Sequence, residues 1–270
     1  MADFPYRIVG FDLDGTLLDT SRDLGVALNH ALGLAGRPPV PLDQTKRHIG
    51  GGAAQMLRSA LTESGGVDED AFPGLQASLI EFYGRNIAHH TALFPGGAEM
   101  LDALDARGVK IAIATNKAEG LAVKLFEELG LLHRFACVIG GDTLGRHRAK
   151  PRPDMLHEMV ERCGGGPAAF VGDTTFDVGA AKAAQMPVVA VRFGFNDLPA
   201  DDLGADAVID HYAKGGRARG PNTSPLLRGF RLSPRERADL IAFLESLTDT
   251  ELAKDARWAA PAESGDTPQE

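Results

Sequence analysis

Two aspartates follow the first apolar segment of the chain, at a spacing that lets both act on one substrate. Residues 7–11, Arg-Ile-Val-Gly-Phe, predict a short buried strand that begins after Pro5. Asp12 and Asp14 come directly after it, and Asp14-Gly15 is typical of a turn. The turn accounts for Asp14. It does not account for Asp12, because a carboxylate at the end of an apolar strand is unfavourable unless a cation lies close to it. Ligands of open parallel sheets bind beyond the carboxyl ends of the strands, so we expect the chemistry here.

Polar residues also follow later apolar segments of the chain. Segments 111–114 and 169–172 both predict buried strands, and each is followed by side chains that can bind a charged ligand. A lysine with prolines after it marks a third such place, near a predicted helix start. Each motif by itself is explained by a turn, a helix cap or a solvated lysine, but their presence together favours one active site. The residues are Thr115, Asn116, Lys150, Asp173 and Asp177.

Phosphoryl transfer is the reaction that this set of residues suits. A carboxylate such as that of Asp12 can attack phosphorus and form an aspartyl-phosphate intermediate. The transferred group carries charge on its equatorial oxygens, so the site needs a dication and fixed hydrogen-bond donors. Mg2+ is a hard ion that prefers oxygen ligands. The Asp12 and Asp173 side chains offer such oxygens, and the Asp14 backbone carbonyl could offer another.

The motifs, in this order, resemble those of the haloacid dehalogenase superfamily of phosphotransferases, whose first motif reads DxDGT. The resemblance covers about residues 5–210. It implies that Asp12 is the nucleophile and a metal ligand. It also implies that Asp14 is the general acid that protonates the leaving oxygen and the base that later activates water. Asp173 is then the third protein contact to Mg2+, with Asp177 orienting waters near it.

The same resemblance implies a role for the remaining motif residues. They would hold the oxygens of the phosphoryl group during its transfer, and the lysine would also offset the charge of the acidic cluster. These residues are Thr115, Asn116 and Lys150.

Composition and charge restrict the partners. A net charge of −9 at pH 7 argues against general nucleic-acid binding, which requires a basic surface. A small phosphorylated metabolite remains the expected partner, because Mg2+ and Lys150 would set the local field. Cys137 and Cys163 lack the spacing of metal ligands, so we expect reduced thiols. No basic signal-peptide region and no apolar run of about 18 residues is present, which predicts a cytoplasmic protein that does not enter a membrane.

The apolar periodicity predicts an α/β fold with a doubly wound, Rossmann-like parallel sheet. Strands and helices alternate in the second half of the chain. The predicted strands are 109–114, 136–139, 168–172 and 187–191, and the predicted helices are 97–107, 117–129, 153–163 and 175–185.

A long insertion separates the first strand from the rest of this pattern. It is too long for a single crossover and contains helical spacing at 23–34, 53–61 and 75–87. The resemblance implies that it is a helical cap over the active site. We therefore expect a core of residues 1–18 and 94–210, a cap of residues 19–93 and an atypical extension of residues 211–270.

The insertion most resembles that of bacterial phosphoglycolate phosphatases. The matching stretches are 17–20, 23–24, 27–29 and 46–52, with 94–96 and 140–144 outside the insertion. Arg47, beside the glycines that include Gly51, would present a guanidinium and backbone N–H groups to a small carboxylate such as that of 2-phosphoglycolate. Arg47 is equally explained as a solvated surface residue, and residues 50–52 as a turn between helices. Gly51 stands where that family often has asparagine.

The function implied is Mg2+-dependent hydrolysis of 2-phosphoglycolate by a monomer or homodimer. Haloacid dehalogenases lack an aspartate at the position of Asp14. Phosphonatases form a Schiff base with a cap lysine, and Lys46, the only lysine of residues 19–93, is better explained as a solvated charge. A β-phosphoglucomutase-like phosphotransferase and another small-metabolite phosphatase remain alternatives. A non-enzymatic scaffold with an interaction tail is disfavoured, because the acidic residues would repel one another without a cation.

The C-terminal extension resembles a different family. Residues 208–250 are similar to the C-terminal end of bacterial di-haem cytochrome c peroxidases, but the chain has no C-x-x-C-H motif for covalent haem attachment. Ser233, Pro234 and Glu236 predict the start of a helix whose apolar stripe needs a packing partner. From Pro261 onward the composition predicts disorder.

Overall fold

Parallel strands and the helices between them account for most of the regular structure. The structure, a computed structural model, describes residues 4–210 and 212. In this part of the chain the strands are β1 (Ile8–Phe11), β2 (Leu18–Asp19), β3 (Ala92–Leu93), β4 (Lys110–Ala114), β5 (Cys137–Ile139), β6 (Ala168–Gly172), β7 (Val188–Val191) and β8 (Ala207–Ile209). The helices are α1 (Ser21–Leu34), α2 (Ala53–Glu63), α3 (Phe72–Arg85), α4 (Gly97–Asp105), α5 (Glu119–Glu128), α6 (Asp154–Arg162) and α7 (Thr175–Ala183).

Six of the strands form one parallel sheet in the order β5–β4–β1–β6–β7–β8. Strand β1 lies between β4 and β6, with Val9 opposite both Ile111 and Ala169. All of β1 is buried, as expected for a strand covered on both faces of a parallel sheet. The carboxyl ends of these three strands meet at one edge of the sheet, which brings the residues that follow them together.

Side chains of β1 alternate between two apolar clusters, one on each face of the sheet. Val9 and Phe11 belong to the cluster that contains Leu104 of α4 and Leu125 of α5. Ile8 belongs to the opposite cluster, which is built from α6 and α7. Helices therefore cover both faces, and the predicted α/β fold with a doubly wound parallel sheet is confirmed.

A group of helices lies between β2 and β3, which pair antiparallel. Helix α1 packs against α3, and both α1 and α2 contact a 3-10 helix, Leu42–His48. Asp23 fastens the end of this insertion to its beginning: its Oδ2 accepts hydrogen bonds from the backbone N–H groups of His90 and Thr91, both at 2.9 Å. The segments that enter and leave the insertion are thus held side by side.

For most helices, the observed first and last residues differ from the predicted ones by a few positions. Strand β8, the β2–β3 pair and the 3-10 helix were not predicted, because each is too short to produce a periodic pattern. The helix expected after Ser233 and the disorder expected after Pro261 lie outside the described residues. In residues 4–210 no helix has both the length and the hydropathy needed to cross a membrane.

Candidate active site

Lys150 lies between two carboxylates, one from the loop after β1 and one from helix α7. Its Nζ donates hydrogen bonds of 2.7 Å to Asp12 Oδ1, just beyond β1, and of 2.6 Å to Asp177 Oδ1 in α7. All three side chains are buried. Burial alone would lower the pKa of Lys150, but Asp12 and Asp177 raise it above its ordinary value. The lysine therefore stays charged and offsets negative charge around Asp12.

Asp173 follows β6 and faces the same group of carboxylates. It is fully buried, and its two oxygens accept hydrogen bonds of 2.8 Å from Thr16 Oγ1 and 2.7 Å from the backbone N–H of Phe195. The loop that carries Thr16 approaches closely because Gly15 has a φ of +89° and no side chain. A Cβ at Gly15 would collide with Asp173 Oδ2, so this approach requires glycine.

Asp177 is held by the N-terminus of α7 as well as by Lys150. Its Oδ2 accepts hydrogen bonds from the backbone N–H of Thr174 at 2.9 Å and from Thr174 Oγ1 at 2.6 Å, as part of a capping box. The backbone N–H of Asp173 donates to the same oxygen at 3.2 Å. The cap fixes one oxygen of Asp177 and leaves the other to Lys150.

The carboxylates form a cluster that suits a small divalent cation. One oxygen each of Asp12, Asp173 and Asp177 can be chosen so that all three lie within 4.8 Å of one another. Burial raises the pKa of Asp12 to about 6, and Asp177 and Asp14 add to the rise although Lys150 opposes it. Burial, followed by Asp177 and Asp12, raises the pKa of Asp173 well above its ordinary value. A cation with oxygen preference would relieve this repulsion, and Mg2+ fits such a donor set.

Asp14, two residues after Asp12, is held by two different donors. Thr20 Oγ1 donates to Asp14 Oδ1 at 2.7 Å, and Lys117 Nζ lies 2.8 Å from each of the two carboxylate oxygens. The Tyr83 ring of α3 covers Lys117, with its centroid 4.7 Å from Nζ. Burial alone would lower the pKa of Lys117, but Asp14 and Tyr83 raise it above its ordinary value. The ammonium group thus stays charged beside Asp14.

Thr115 and Asn116 lie beyond the carboxyl end of β4. Thr115 is buried, and its Oγ1 accepts a hydrogen bond of 3.3 Å from the backbone N–H of Lys117. Asn116 Nδ2 donates to the backbone carbonyls of Gly50 at 3.3 Å and Lys150 at 3.2 Å, so it links the insertion to the core. Asn116 Oδ1 is buried without a hydrogen-bond partner in the described part of the chain.

A cavity of about 480 Å³ lies between this edge of the sheet and the insertion. The core side of its lining carries the predicted motif residues Asp12, Asp14, Thr115, Asn116 and Lys150, together with Lys117. The insertion contributes glycines 50–52 and mainly apolar side chains, namely Leu24, Ile49, Met56, Leu79, Ile80 and Tyr83. The polar chemistry is therefore concentrated on the core side, and the insertion supplies a largely apolar wall.

The two insertion residues that the sequence singled out lie in different places. Gly51 lines the cavity. Arg47 lies outside its lining: the guanidinium is about half exposed and pairs with Glu63 Oε2 at 2.6 Å. Arg146 and Arg152, which follow β5, do line the cavity on its exposed side. The structure therefore brings cationic groups of the core, rather than Arg47, to the substrate space.

No site role was predicted from the sequence for Lys117, Thr20 and Tyr212, nor for Arg146 and Arg152 of the cavity lining. Lys117 directly follows Thr115-Asn116, so its place in that motif was a usable signal. Thr20 lies in the stretch 17–20 that resembles the phosphoglycolate phosphatases, but that resemblance gave it no role at Asp14. Tyr212 gave no signal: its hydroxyl donates to the carbonyl of Thr16 at 3.0 Å and so supports the loop that carries the aspartates.

Comparison with known proteins identifies the family. Residues 9–191 match the family described as haloacid dehalogenase-like hydrolase, which is more than half of the chain. The chain belongs to the haloacid dehalogenase-like hydrolases. The resemblance that rested on the motifs at Asp12, Thr115, Lys150 and Asp173 is thereby confirmed. The same membership accounts for a parallel sheet with its polar residues at the carboxyl ends.

Relatives of this hydrolase include named phosphoglycolate phosphatases. It is 39% identical to the phosphoglycolate phosphatase of Agrobacterium fabrum over 214 residues, covering 75% of this chain and 88% of the relative. It is 34% identical to phosphoglycolate phosphatase 1 of Pseudomonas aeruginosa over 258 residues, covering 93% and 94%. That second match has to include residues after 210. A crystal structure of a predicted phosphoglycolate phosphatase from Haemophilus somnus 129PT superposes with a TM-score of 0.70 at 29% identity, covering 76% and 94%.

Proposed function

We propose that this hydrolase is a Mg2+-dependent phosphomonoesterase that acts through an aspartyl-phosphate on Asp12, and that 2-phosphoglycolate is its substrate. The observation that carries the proposal is the pairing of Asp12 with Lys150, which line the cavity together with Asp14, and the clustering of Asp12 with Asp173. A nucleophilic carboxylate, a fixed cation, further carboxylates and a second acid are the groups that hydrolysis by phosphoryl transfer needs.

The metal would be held by the Asp12 and Asp173 carboxylates and the Asp14 backbone carbonyl. When bound, Mg2+ supplies positive charge that offsets both the clustered carboxylates and the phosphoryl oxygens. The raised pKa values of Asp12 and Asp173 support this assignment, because both carboxylates are disfavoured as anions until a cation is present.

In the first step a carboxylate oxygen of Asp12 attacks phosphorus, and the bond from phosphorus to the leaving oxygen breaks. Asp14 donates a proton to that oxygen, so the product leaves as an alcohol. Lys150 and Thr115, which line the cavity, would donate hydrogen bonds to the phosphoryl oxygens as their charge shifts.

In the second step water attacks phosphorus of the aspartyl-phosphate, and Asp14 accepts the proton that the water loses. The bond between phosphorus and the Asp12 oxygen breaks, which releases inorganic phosphate and restores the carboxylate. Asp14 is well placed for both steps, because it lines the cavity and lies only two residues from the nucleophile.

Support for 2-phosphoglycolate comes from the names of the relatives and from the similarity of the insertion to theirs. The core motifs contact the phosphoryl group, so any selection among esters depends on the rest of the cavity lining. There the exposed Arg146 and Arg152 could pair with the substrate carboxylate, since Arg47 lies elsewhere.

Phosphate release from a panel of small phosphomonoesters tests the proposal. We expect release that depends on Mg2+, is abolished by chelator and by Asp12→Asn, and is fastest with 2-phosphoglycolate. Equal rates for all esters of the panel would support the proposed reaction but contradict the assignment of 2-phosphoglycolate as the substrate. Conversion of β-glucose 1-phosphate to glucose 6-phosphate would instead favour a mutase, and no release from any ester would overturn the proposal.

A further inference from the structure

We propose that Lys117 is a positioning residue for Asp14, and that it fixes which oxygen of Asp14 exchanges the proton with the substrate. This rests on the proposed function, because it assigns a task to a residue that the reaction scheme does not itself use. Lys117 is buried, and its ammonium reaches both oxygens of Asp14 at 2.8 Å.

The hydrogen bonds to Asp14 leave one position open. A carboxylate has about four acceptor sites, two on each oxygen. Among residues 4–210 and 212, Asp14 Oδ1 accepts from both Thr20 Oγ1 and Lys117 Nζ, whereas Oδ2 accepts from Lys117 alone. The remaining site is on Oδ2, so this oxygen gives the proton to the leaving group and later takes one from water.

The insertion also contacts Lys117. The Tyr83 ring of α3 covers its ammonium group, and both residues line the cavity. The side chain of Lys117 is therefore enclosed by an aromatic face on one side and by Asp14 on the other. Because Tyr83 belongs to the insertion and Lys117 to the core, the insertion forms part of the surroundings of the ammonium group that holds Asp14.

A leaving-group comparison separates this task from a general structural one. 2-Phosphoglycolate has an alkoxide leaving group that needs a proton, whereas p-nitrophenyl phosphate has a leaving group that departs without one. General acid catalysis typically contributes about 10²–10⁴-fold, so Lys117→Met should lower kcat/KM for 2-phosphoglycolate by roughly 10²-fold or more. The loss for p-nitrophenyl phosphate should be much smaller, because kcat/KM reports only the steps up to release of the leaving group.

Three further variants complete the test. Asp14→Asn should show the same dependence on the leaving group, and Lys117→Met added to it should cause no further loss with 2-phosphoglycolate. Thr20→Val keeps the shape of the buried side chain and removes its hydrogen bond to Asp14. It should show the same dependence on the leaving group with a smaller loss of kcat/KM, and it replaces Lys117→Met if that variant does not fold. Lys182→Met, an exposed lysine of α7, should leave both rates unchanged.

The outcomes distinguish the inference from the function on which it rests. Equal losses for the two esters in an otherwise active protein would overturn the role of Lys117 alone. An inactive wild-type protein would overturn the proposed function and the inference with it. A loss confined to 2-phosphoglycolate, and absent when Asp14 is already replaced, is the result we expect.

Discussion

Lys150 Nζ donates a hydrogen bond of 2.7 Å to Asp12 Oδ1, although 138 positions separate the two residues in the sequence. The same ammonium group reaches Asp177, so a single buried cation joins the first strand of the sheet to the helix after β6. Two of the carboxylates that would otherwise repel each other thus share one counter-charge. The contact to Asp12, the proposed nucleophile, therefore also links two elements of the core.

Replacing Lys150 should damage stability and activity together. Lys150→Met keeps the length of the side chain but leaves Asp12 and Asp177 buried without their cation. Breaking a buried ion pair costs about 3–5 kcal/mol, which corresponds to a melting temperature lower by roughly 6–20 °C. Activity should fall by about 10²-fold or more, because a fixed donor to the phosphoryl oxygens is lost. Calorimetry and a phosphate-release assay measure the two effects.

Lys182→Met is the matched control for this substitution, since Lys182 is exposed on α7. It should leave both the melting temperature and the rate unchanged. A Lys150→Met protein that melted and turned over like the wild type would contradict the assigned role of the buried pair.

Much of the site could be predicted from the sequence, because parallel strands carry polar residues to a common edge. Asp12, Thr115 and Asp173 each follow a segment that is apolar enough to identify as a buried strand, and the rule for parallel sheets then places them together. Lys150 was found through the motif around it rather than through any strand.

Other parts of the site depend on contacts that the sequence does not display. Lys117 acquires its importance from Asp14, 103 positions earlier, and from Tyr83 in the insertion. Arg47 stands beside the glycines that line the cavity, yet its own side chain is directed to Glu63. Adjacency in sequence does not determine which side of a loop a side chain occupies, so its partner could not be predicted.

Mg2+ should stabilise the folded protein, and Asp173 should be required for the effect. At a Mg2+ concentration 100 times the Kd, binding adds about 2.7 kcal/mol, or roughly 5–11 °C in melting temperature. Asp173→Asn should abolish this shift, whereas Asp70→Asn, at an exposed site in the insertion, should retain it. Thermal melts with Mg2+ and with chelator measure the difference. If Mg2+ raised the melting temperature of Asp173→Asn as much as that of the wild type, Asp173 would not be a ligand of the metal.

The Mg2+ effect should also depend on pH in a defined direction. Burial raises the pKa of Asp12 from 3.8 to about 6, so the folded protein binds a proton that the unfolded chain has released. The stability from this group is present below pH 3.8 and is lost as the pH rises through about 6. The anion required for metal binding forms in the same range, so the Mg2+-induced shift should be larger at pH 7.5 than at pH 5. An equal shift at both values would contradict this.

The contribution of His48 to stability should depend on pH with a sign opposite to that of Asp12. Its buried ring has Nδ1 2.8 Å from Ser59 Oγ, and Nε2 accepts from Arg47 Nε at 3.3 Å, so the ring is neutral. Burial lowers the pKa of His48 below its ordinary value of 6.5, and Arg47 acts in the same direction although Glu63 opposes it. The stability from the neutral ring is present above pH 6.5 and is lost as the pH falls below it.

The comparison of His48→Gln with the wild type isolates this contribution. The loss of melting temperature between pH 7.5 and pH 5.5 should be smaller in His48→Gln. His133→Gln, at an exposed position, should behave like the wild type. If His48→Gln kept the full wild-type dependence, the neutral buried ring would not be the source.

The position of Arg47 leads to a prediction about substrate binding. Its guanidinium pairs with Glu63 at 2.6 Å outside the cavity, so Arg47→Ala should leave the KM for 2-phosphoglycolate within about twofold. Arg146 does line the cavity, and a charge-assisted contact to a carboxylate is worth about 1.5–3 kcal/mol, so Arg146→Ala should raise KM by roughly tenfold or more. Steady-state kinetics on the two variants decide between them. If KM rose strongly for Arg47→Ala and not for Arg146→Ala, the substrate carboxylate would bind to the insertion. The insertion would then have to move from the position described here.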